Sequence, residues 1–364
     1  MEQDLSDHAA EKWSKEGPHT KVLVVTGMYP SPEFPAFGTF VKRQVDSLSG
    51  AGCPHEVLLI DGRRSRLNYL KGIWRVNRAL REGRFGMVHA YYGLCGFVAS
   101  WQFRVPLVVS YCGSDLNPGF AGRERAPLRS LLTFILGQIA SWRAAACVVR
   151  SQGMLSRLLL PWVRKRAHIV TSGVDLELFR PGDRSAARTR LGWEQNHPVV
   201  LFVCADPELP AVKQPQLARA AVESVKKTMP DVELRIVAGK PQAELPDYYN
   251  ASDLLLLTSA NEGSPNVVKE AMACNLPVIS TPVGDVPNLL AGAHNCHVCG
   301  ADPDEMSASI VQVLRSGERS SSREKMQEYS LDKTAATILE IYREVFSSDG
   351  AAAELAAQAE RPAP

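Results

Sequence analysis

The sequence predicts an α/β protein of two doubly wound, parallel-sheet, Rossmann-like domains facing a central cleft. Two observations carry that expectation: six short runs rich in Val, Leu and Ile alternate with helical patterns, and after a polar, proline-bounded break the alternation restarts. Nearly continuous apolar strands between helices indicate parallel sheets covered on both faces, because a solvated face would show alternating polar residues. A length of 364 residues also favours two domains over one.

The first set of strands is expected at residues 21–27 (KVLVVTG), 55–62 (HEVLLIDG), 87–93 (MVHAYYG), 106–113 (PLVVSYCG), 145–151 (AACVVRS) and 167–173 (AHIVTSG). The second set is expected at 199–205 (VVLFVCA), 232–239 (VELRIVAG), 252–259 (SDLLLLTS), 276–284 (LPVISTPVG) and 296–300 (CHVCG). These place a first domain at 21–180, a linker at 181–198 (PGDRSAARTRLGWEQNHP) and a second domain at 199–330, after a flexible polar segment at 1–20. A final helix at 331–346 carries a stripe of Leu331, Ala335, Ile338, Leu339, Ile341, Tyr342 and Phe346 that could pack on either domain. The alanine-rich, proline-ended tail at 347–364 has no such stripe and reads as flexible. Open α/β sheets bind ligands outside the carboxyl ends of their strands, so the cleft between the domains is the expected site.

An apolar content of 45% excludes disorder over most of the chain. The net charge of +2 hides an asymmetry: residues 1–190 carry 27 Lys and Arg against 15 Asp and Glu, net +12, and residues 191–364 carry 14 against 24, net −10. A uniformly basic nucleic-acid binder is thereby disfavoured, whereas the basic half suits an anionic surface or polymer. The longest apolar candidate for a membrane span, residues 131–149, is broken by Gln138, Ser141, Trp142 and Arg143, and residues 1–20 lack the apolar core of a secretory signal. A cytoplasmic location is the expectation. Eight cysteines are too sparse for a disulfide scaffold. His294, Cys296, His297 and Cys299 are residue types that bind zinc, but residues three apart in a strand point to opposite faces, and no second pair completes a site. No metal and no cofactor are expected.

Neither a G-x-G-x-x-G turn nor a G-x-x-x-x-G-K-[ST] loop occurs, which removes dinucleotide and P-loop chemistry. After the first strand a proline-rich loop ends at Gly38, which opens a helix with Phe40, Val41, Val45 and Leu48 on one side; such a glycine lets backbone amides approach a phosphate. The sharper feature is residues 259–280, SANEGSPNVVKEAMACNLPVIS. Glu262 falls in a turn with Gly263, Ser264 can cap, Pro265 suits the first helical position, and Glu270 lies two turns along the helix. The amides of Ser264, Asn266 and Val267 would then form an anion-binding end between two carboxylates able to hold hydroxyl groups, as a nucleotide-sugar needs. The same residues also fit a cap-region glutamate and an unrelated, solvated helix glutamate.

The segment is similar to the E-x7-E signature of retaining glycosyltransferases of family 4, which have the GT-B fold. The resemblance extends over about residues 21–345, through Gly38-Thr-Phe-Val with Gln44, VHAYYG, VVSYCGSD, SGVDLELFRP and YYNASDLLLLTS. It implies that Glu270 binds the nucleotide ribose, Glu262 the donor-sugar hydroxyls and the Gly38 loop the phosphate. It also implies that the last helix crosses back to the first domain and that the first domain presents the acceptor; Cys112, Asp115 and His89 are candidates for the acceptor side, and His89, at the end of the third strand, fits a packed cleft-edge histidine equally well.

Two departures stand out. Members usually carry an Arg shortly before a Lys after the first strand of the second domain. Here Lys213 is present, no Arg precedes it, and Glu208 and Leu209 stand near the expected place. Losing one cation from a transition state that builds charge on a diphosphate costs roughly 10²-fold in rate. Cys112 also stands where many members have His, and a thiol is a poor substitute for an imidazole donor.

The expected function is therefore retaining transfer of a sugar from a nucleotide-diphosphate donor to a lipid-linked or growing glycan acceptor, with Glu262 and Lys213 as catalytic residues. A nucleotide-sugar epimerase of the same fold and a catalytically impaired partner in a glycan-assembly complex are the alternatives. Residues 63–84 hold eight Arg and Lys interleaved with Leu67, Leu70, Ile73 and Trp74, and residues 158–168 have the same character. Peripheral docking on an anionic membrane suits both, as does a solvated helix face. No aromatic platform for nucleic acid accompanies the charge.

Overall fold

The computed structural model describes residues 21–34, 37–116, 127–204 and 210–359. The first domain runs β1 (Lys21–Thr26), α1 (Thr39–Gly50), β2 (His55–Leu59), α2 (Leu67–Glu82), β3 (Phe85–Tyr91), α3 (Gly93–Ala99), β4 (Leu107–Ser110), α4 (Pro127–Arg143), β5 (Ala146–Val149), α5 (Gln152–Ser156), α6 (Pro161–Lys165) and β6 (Ala167–Ile169). Its six strands are parallel in the order β2-β1-β3-β4-β5-β6. The second domain runs α7 (Arg184–Leu191), β7 (Val199–Cys204), α8 (Pro210–Lys213), α9 (Pro215–Lys226), β8 (Glu233–Ala238), α10 (Leu245–Ala251), β9 (Leu254–Leu257), α11 (Asn266–Ala273), β10 (Val278–Ser280), α12 (Val286–Leu290), β11 (His297–Val298), α13 (Pro303–Ser316) and α14 (Arg323–Met326). Its five strands are parallel in the order β11-β10-β9-β7-β8. The chain reverses its direction of travel across the sheet between β1 and β3 and again between β7 and β9, and such switch points open a crevice at the strand ends.

The apolar runs are fully buried strands, as their continuous hydrophobicity requires: β4, β5, β7 and β9 bury every residue. One face of the first sheet packs on α2, α3 and α4 through Val76, Val98 and Ala140. The other face packs on α1 and on the last helix, α15 (Leu331–Ala359), which crosses back from the second domain. Ala335, Ile338, Leu339, Tyr342 and Val345 of α15 are buried beside Val22, Val24 and Met87 of the first sheet, the i, i+3, i+4 spacing holding them on one side. The junction is fixed by backbone pairing: Val174 N–H donates to the Tyr329 carbonyl at 2.8 Å, and Leu331 N–H donates to that of Val174 at 3.1 Å. α15 continues past residue 346, where the stripe had suggested an end, because alanine is the best helix former and needs no packing to continue a helix.

The polar break at 181–198 contains α7, whose Arg188 is wholly buried and donates to the carbonyls of Ala251, Glu194, Gln195 and His197 and to Asp253. The segment is thus tied to the second domain. Cys296 and Cys299 flank β11 and face different partners, Ser320 and Ser309, and no group of metal-ligating side chains forms among the described residues. Asp302 caps α13, accepting from the amides of Asp304 and Glu305. Among the described residues no helix is long and apolar enough to cross a membrane.

If α15 completes the first-domain core, Ile338→Ala should lower stability by about 2–5 kcal/mol in urea unfolding. A change below about 0.5 kcal/mol would show that the helix is only loosely applied.

Candidate functional site

The loops at the carboxyl ends of both sheets enclose a cleft of about 340 Å³. From the first domain it receives Gly38, Cys112 and Arg150. From the second it receives Lys213, Glu262, Gly263, Ser264, Asn266, Val267 and Glu270. The sequence-predicted residues that meet here come from the two switch points: Gly38 follows β1, Lys213 follows β7 and Glu262 follows β9.

Gly38 begins α1 with φ +73°, and a Cβ there would lie 2.4 Å from the Met28 carbonyl carbon, so only glycine fits. The positive end of the α1 dipole faces the cleft. Across from it, α11 opens at Pro265 without a side-chain cap. Ser264, expected to cap, does not: its hydroxyl donates to Asp285 at 2.7 Å and accepts from Lys269 at 3.0 Å. The N-terminal end of α11 is thus left to bind something else.

Lys269 is fully buried, and its ammonium also donates to the Ser172 carbonyl of the interdomain segment. Burial pulls its pKa down to about 8, opposed by the charge of Asp285, while burial raises the carboxyl of Asp285 in turn. Behind this pair Gly284 sits at φ +56° with its Cβ position 2.4 Å from the Gly263 carbonyl oxygen, so the two loops touch backbone to backbone.

Glu262 accepts from Lys213 Nζ at 2.6 Å and from Ser259 Oγ at 3.0 Å. The loop bearing Lys213 is pinned by Thr258 Oγ, which donates to the Lys213 carbonyl at 2.8 Å, and by Ala260 N–H, which donates to that of Val212 at 2.8 Å. Glu270 is buried and accepts from Tyr249 OH at 2.8 Å and from Gln242. Burial raises its pKa, while Tyr249 and the charge of Arg43 on α1 oppose the shift. The two carboxylates belong to one site but not to one helical side: Glu262 lies in the loop before α11 and Glu270 within it.

Two expected acceptor-side residues are not on the cleft wall. His89 is wholly buried in β3, hydrogen-bonded at 2.7 Å to Ser110 Oγ and through its other nitrogen to Tyr342 of α15, and stacked on Tyr91. Burial pushes its pKa strongly down, so it is a neutral link between sheet and crossing helix. Asp115 is also buried, and its carboxylate accepts the amides of Gly93, Cys112 and Gly113 at 2.8–3.1 Å. It shapes the loop that presents Cys112. Glu208 and Leu209 lie outside the described residues.

The residue that sequence reasoning missed is Arg150. It follows β5, is 2% exposed, and donates to the Val170 carbonyl at 3.0 Å and to Gln44 Oε1 at 3.2 Å. Among the described residues no carboxylate pairs with it, and its Nε and the Nε2 of Gln44 are buried without a partner. A buried cation held only by neutral acceptors is costly unless an anion joins it. Its position just past a strand end was the available signal.

Residues 8–175 match the family described as "Glycosyl transferase 4-like domain", and residues 236–316 match "Glycosyl transferases group 1". The chain is 24% identical over 324 residues to the D-inositol 3-phosphate glycosyltransferase of Thermobispora bispora, covering 76% of this chain and 74% of that protein. It is 29% identical to the Mycobacterium marinum protein of the same name over 68% of this chain and 59% of the relative. Among solved structures, sucrose-phosphate synthase from Thermosynechococcus elongatus superposes with a TM-score of 0.71 at 18% identity, covering 91% of this chain and 100% of that one. Anabaena HepE in complex with UDP and glucose superposes with 0.62 at 18% identity over the same shares. Both likenesses bear on the fold.

Because the Lys269 pKa is about 8 when folded and near 10.5 when exposed, only the unfolded chain holds that proton between the two values, and stability gains with rising pH across that window. Lys269→Met should remove this gain. Urea titrations at about pH 7.5 and about pH 9.5 should show wild type improving relative to the variant at the higher pH, by at most about 1.4 kcal/mol per pH unit. Parallel behaviour would place the ammonium in a more solvated setting.

Proposed function

Because the chain belongs to the family-4 glycosyltransferases, with their GT-B fold, we propose that it moves a sugar, with retention, from a nucleoside-diphosphate donor to a lipid-linked or growing glycan acceptor at a cytoplasmic membrane face. The observation that carries the reading is the convergence, on one cleft, of two helix N-termini, Lys213, Arg150 and the carboxylates of Glu262 and Glu270.

In this reading the diphosphate lies against the ends of α1 and α11, where dipoles and backbone amides favour negative charge. Glu270, held by Tyr249 and Gln242, takes the ribose hydroxyls. Glu262 takes the donor-sugar hydroxyls, and its pairing with Lys213 keeps it aimed. As the bond from the anomeric carbon to the phosphate oxygen breaks, charge grows on the diphosphate. Lys213 and Arg150 stabilise it, so the cation expected before Lys213 is supplied from the other domain. The acceptor hydroxyl attacks the face that the diphosphate leaves, and its proton passes to the departing phosphate oxygen. No protein nucleophile and no metal enter this scheme.

The donor reading is supported by the UDP and glucose named for HepE. An anionic acceptor is supported by the inositol phosphate named for the relatives and by the net +12 of residues 1–190. The basic half faces the membrane in this scheme, which brings a lipid-linked acceptor to the first-domain side of the cleft.

Purified protein given a panel of nucleotide-sugars and a lipid-linked acceptor should release nucleoside diphosphate, and Glu262→Ala or Glu270→Ala should abolish release. Arg150→Gln should lower kcat by roughly 10²-fold and weaken binding of the bare nucleoside diphosphate, with Arg150→Lys recovering part of both. Turnover unchanged in Arg150→Gln would remove the second cation from the scheme. Conversion of the donor to an isomeric nucleotide-sugar without acceptor would favour an epimerase.

A further inference from the structure

One helix of the first domain carries its large exposed apolar side chains on its outer side. α4 buries Gly137, Gln138, Ala140 and Ser141 toward the sheet, where Tyr111 OH donates to the Gly137 carbonyl at 2.7 Å. Its outer side presents Leu128, Leu131, Leu132, Ile135, Ile139 and Trp142 to solvent, with Leu128 81% and Trp142 59% exposed. The spacing of 3, 1, 3, 4 and 3 residues is one continuous helical stripe. A stripe that only served folding would point inward, and this one points outward along the whole helix.

α2, α3, α5 and α6 pack on the same face of the sheet as α4, so their outer sides share its outlook. α2 and α6 add exposed Trp74 and Trp162, and the segment after α3 adds exposed Trp101 and Phe103. Exposed large apolar side chains gathered on one side of a domain mark an interaction surface. Its chemistry is mixed in a particular way: the Arg143 guanidinium lies 4.4 Å from the Phe103 ring centre and that of Arg78 5.3 Å from that of Trp74, with Arg104, Arg157, Arg164 and Lys165 also exposed. Leucines and tryptophans among arginines match the layering of a lipid leaflet, with apolar groups below and cations at the level of anionic headgroups.

We propose that the outer face of α4, with the aromatic residues beside it, is a membrane-docking surface whose apolar side chains insert into the interface of an anionic leaflet. The inference deepens the membrane-face reading above by assigning the contact to α4, and it makes insertion rather than charge alone the basis of attachment. Helices that follow parallel strands begin at the carboxyl, ligand-binding end of the sheet, so α4 starts at the cleft end. A leaflet covering the stripe would therefore reach the cleft from the first-domain side.

The test is co-sedimentation of the full chain with vesicles of phosphatidylcholine alone and of phosphatidylcholine with phosphatidylglycerol in about 7:3 proportion, at about 0.1 M and about 0.5 M salt. Wild type should favour the anionic vesicles and stay partly bound at the higher salt, because insertion is not screened. Leu132→Glu with Ile135→Glu should cut binding about tenfold or more while leaving thermal stability and nucleoside-diphosphate binding unchanged. Trp142→Ala, a milder change, should give an intermediate loss if the double variant does not fold. No binding by wild type, equal binding to both vesicles, or salt-reversible binding unaffected by these variants would overturn the proposal. So would a wild-type dimer that the glutamates dissociate without any vesicle binding. Nucleotide binding measured without vesicles reports separately on the transferase reading.

Discussion

The site depends on the buried ammonium of Lys269. It links three elements: α11, the loop of Ser264 with its neighbour Asp285, and the interdomain segment at Ser172. A buried cation with one carboxylate and two hydroxyl or carbonyl acceptors is rigid, because breaking any contact leaves charge unsatisfied in a low-dielectric setting. That rigidity fixes where Gly263 meets Gly284, and so where Glu262 and the uncapped end of α11 stand relative to the first domain. The crossing helix completes the arrangement by burying its stripe in the first-domain core while its entry is hydrogen-bonded to Val174.

The division of charge follows from the same architecture. The second domain is acidic overall, yet it offers its ligand a helix N-terminus and Lys213 rather than a dense basic patch. The first domain contributes the second cation, Arg150, from a strand end, with its guanidinium held by neutral oxygens. Residues about sixty positions apart in sequence, Arg150 and Lys213, thus line one cleft only because two sheets present their carboxyl edges to each other. Other basic residues of the first domain, Arg78, Arg104, Arg143, Arg157, Arg164 and Lys165, lie on its outer side together with exposed leucines and tryptophans.

The architecture was legible because its signals are local. Continuous apolar runs identified β4, β5, β7 and β9, and the 3.6-residue stripe of Ala335, Ile338, Leu339 and Tyr342 identified the last helix as one that packs. Gly38, Lys213 and Glu262 were legible because each follows a strand or opens a helix, positions that face the cleft in a doubly wound sheet, and Glu270 because its spacing from Glu262 matches the E-x7-E signature. His89 and Asp115 were not: both stand in the right loops, but whether a side chain faces a cleft or a neighbour depends on partners far away, Tyr342 for one and the Gly93 amide for the other. Ser264 failed as a cap for the same reason, since Asp285 offered its hydroxyl a stronger, charged acceptor.

The sequence by itself determined the two parallel-sheet domains, their order, the packing stripe of the last helix and the residues at strand ends, because hydrophobic periodicity and chain direction are properties of consecutive residues. Tertiary structure alone decided which polar side chains are ligands and which are struts. It made Arg150 a cleft cation, His89 a buried link and Lys269 the tie between domains, because each role rests on contacts between residues distant in the chain. It also decided that the apolar stripe of α4 faces outward, because the small and polar residues Gly137, Gln138, Ala140 and Ser141 take the side toward the sheet.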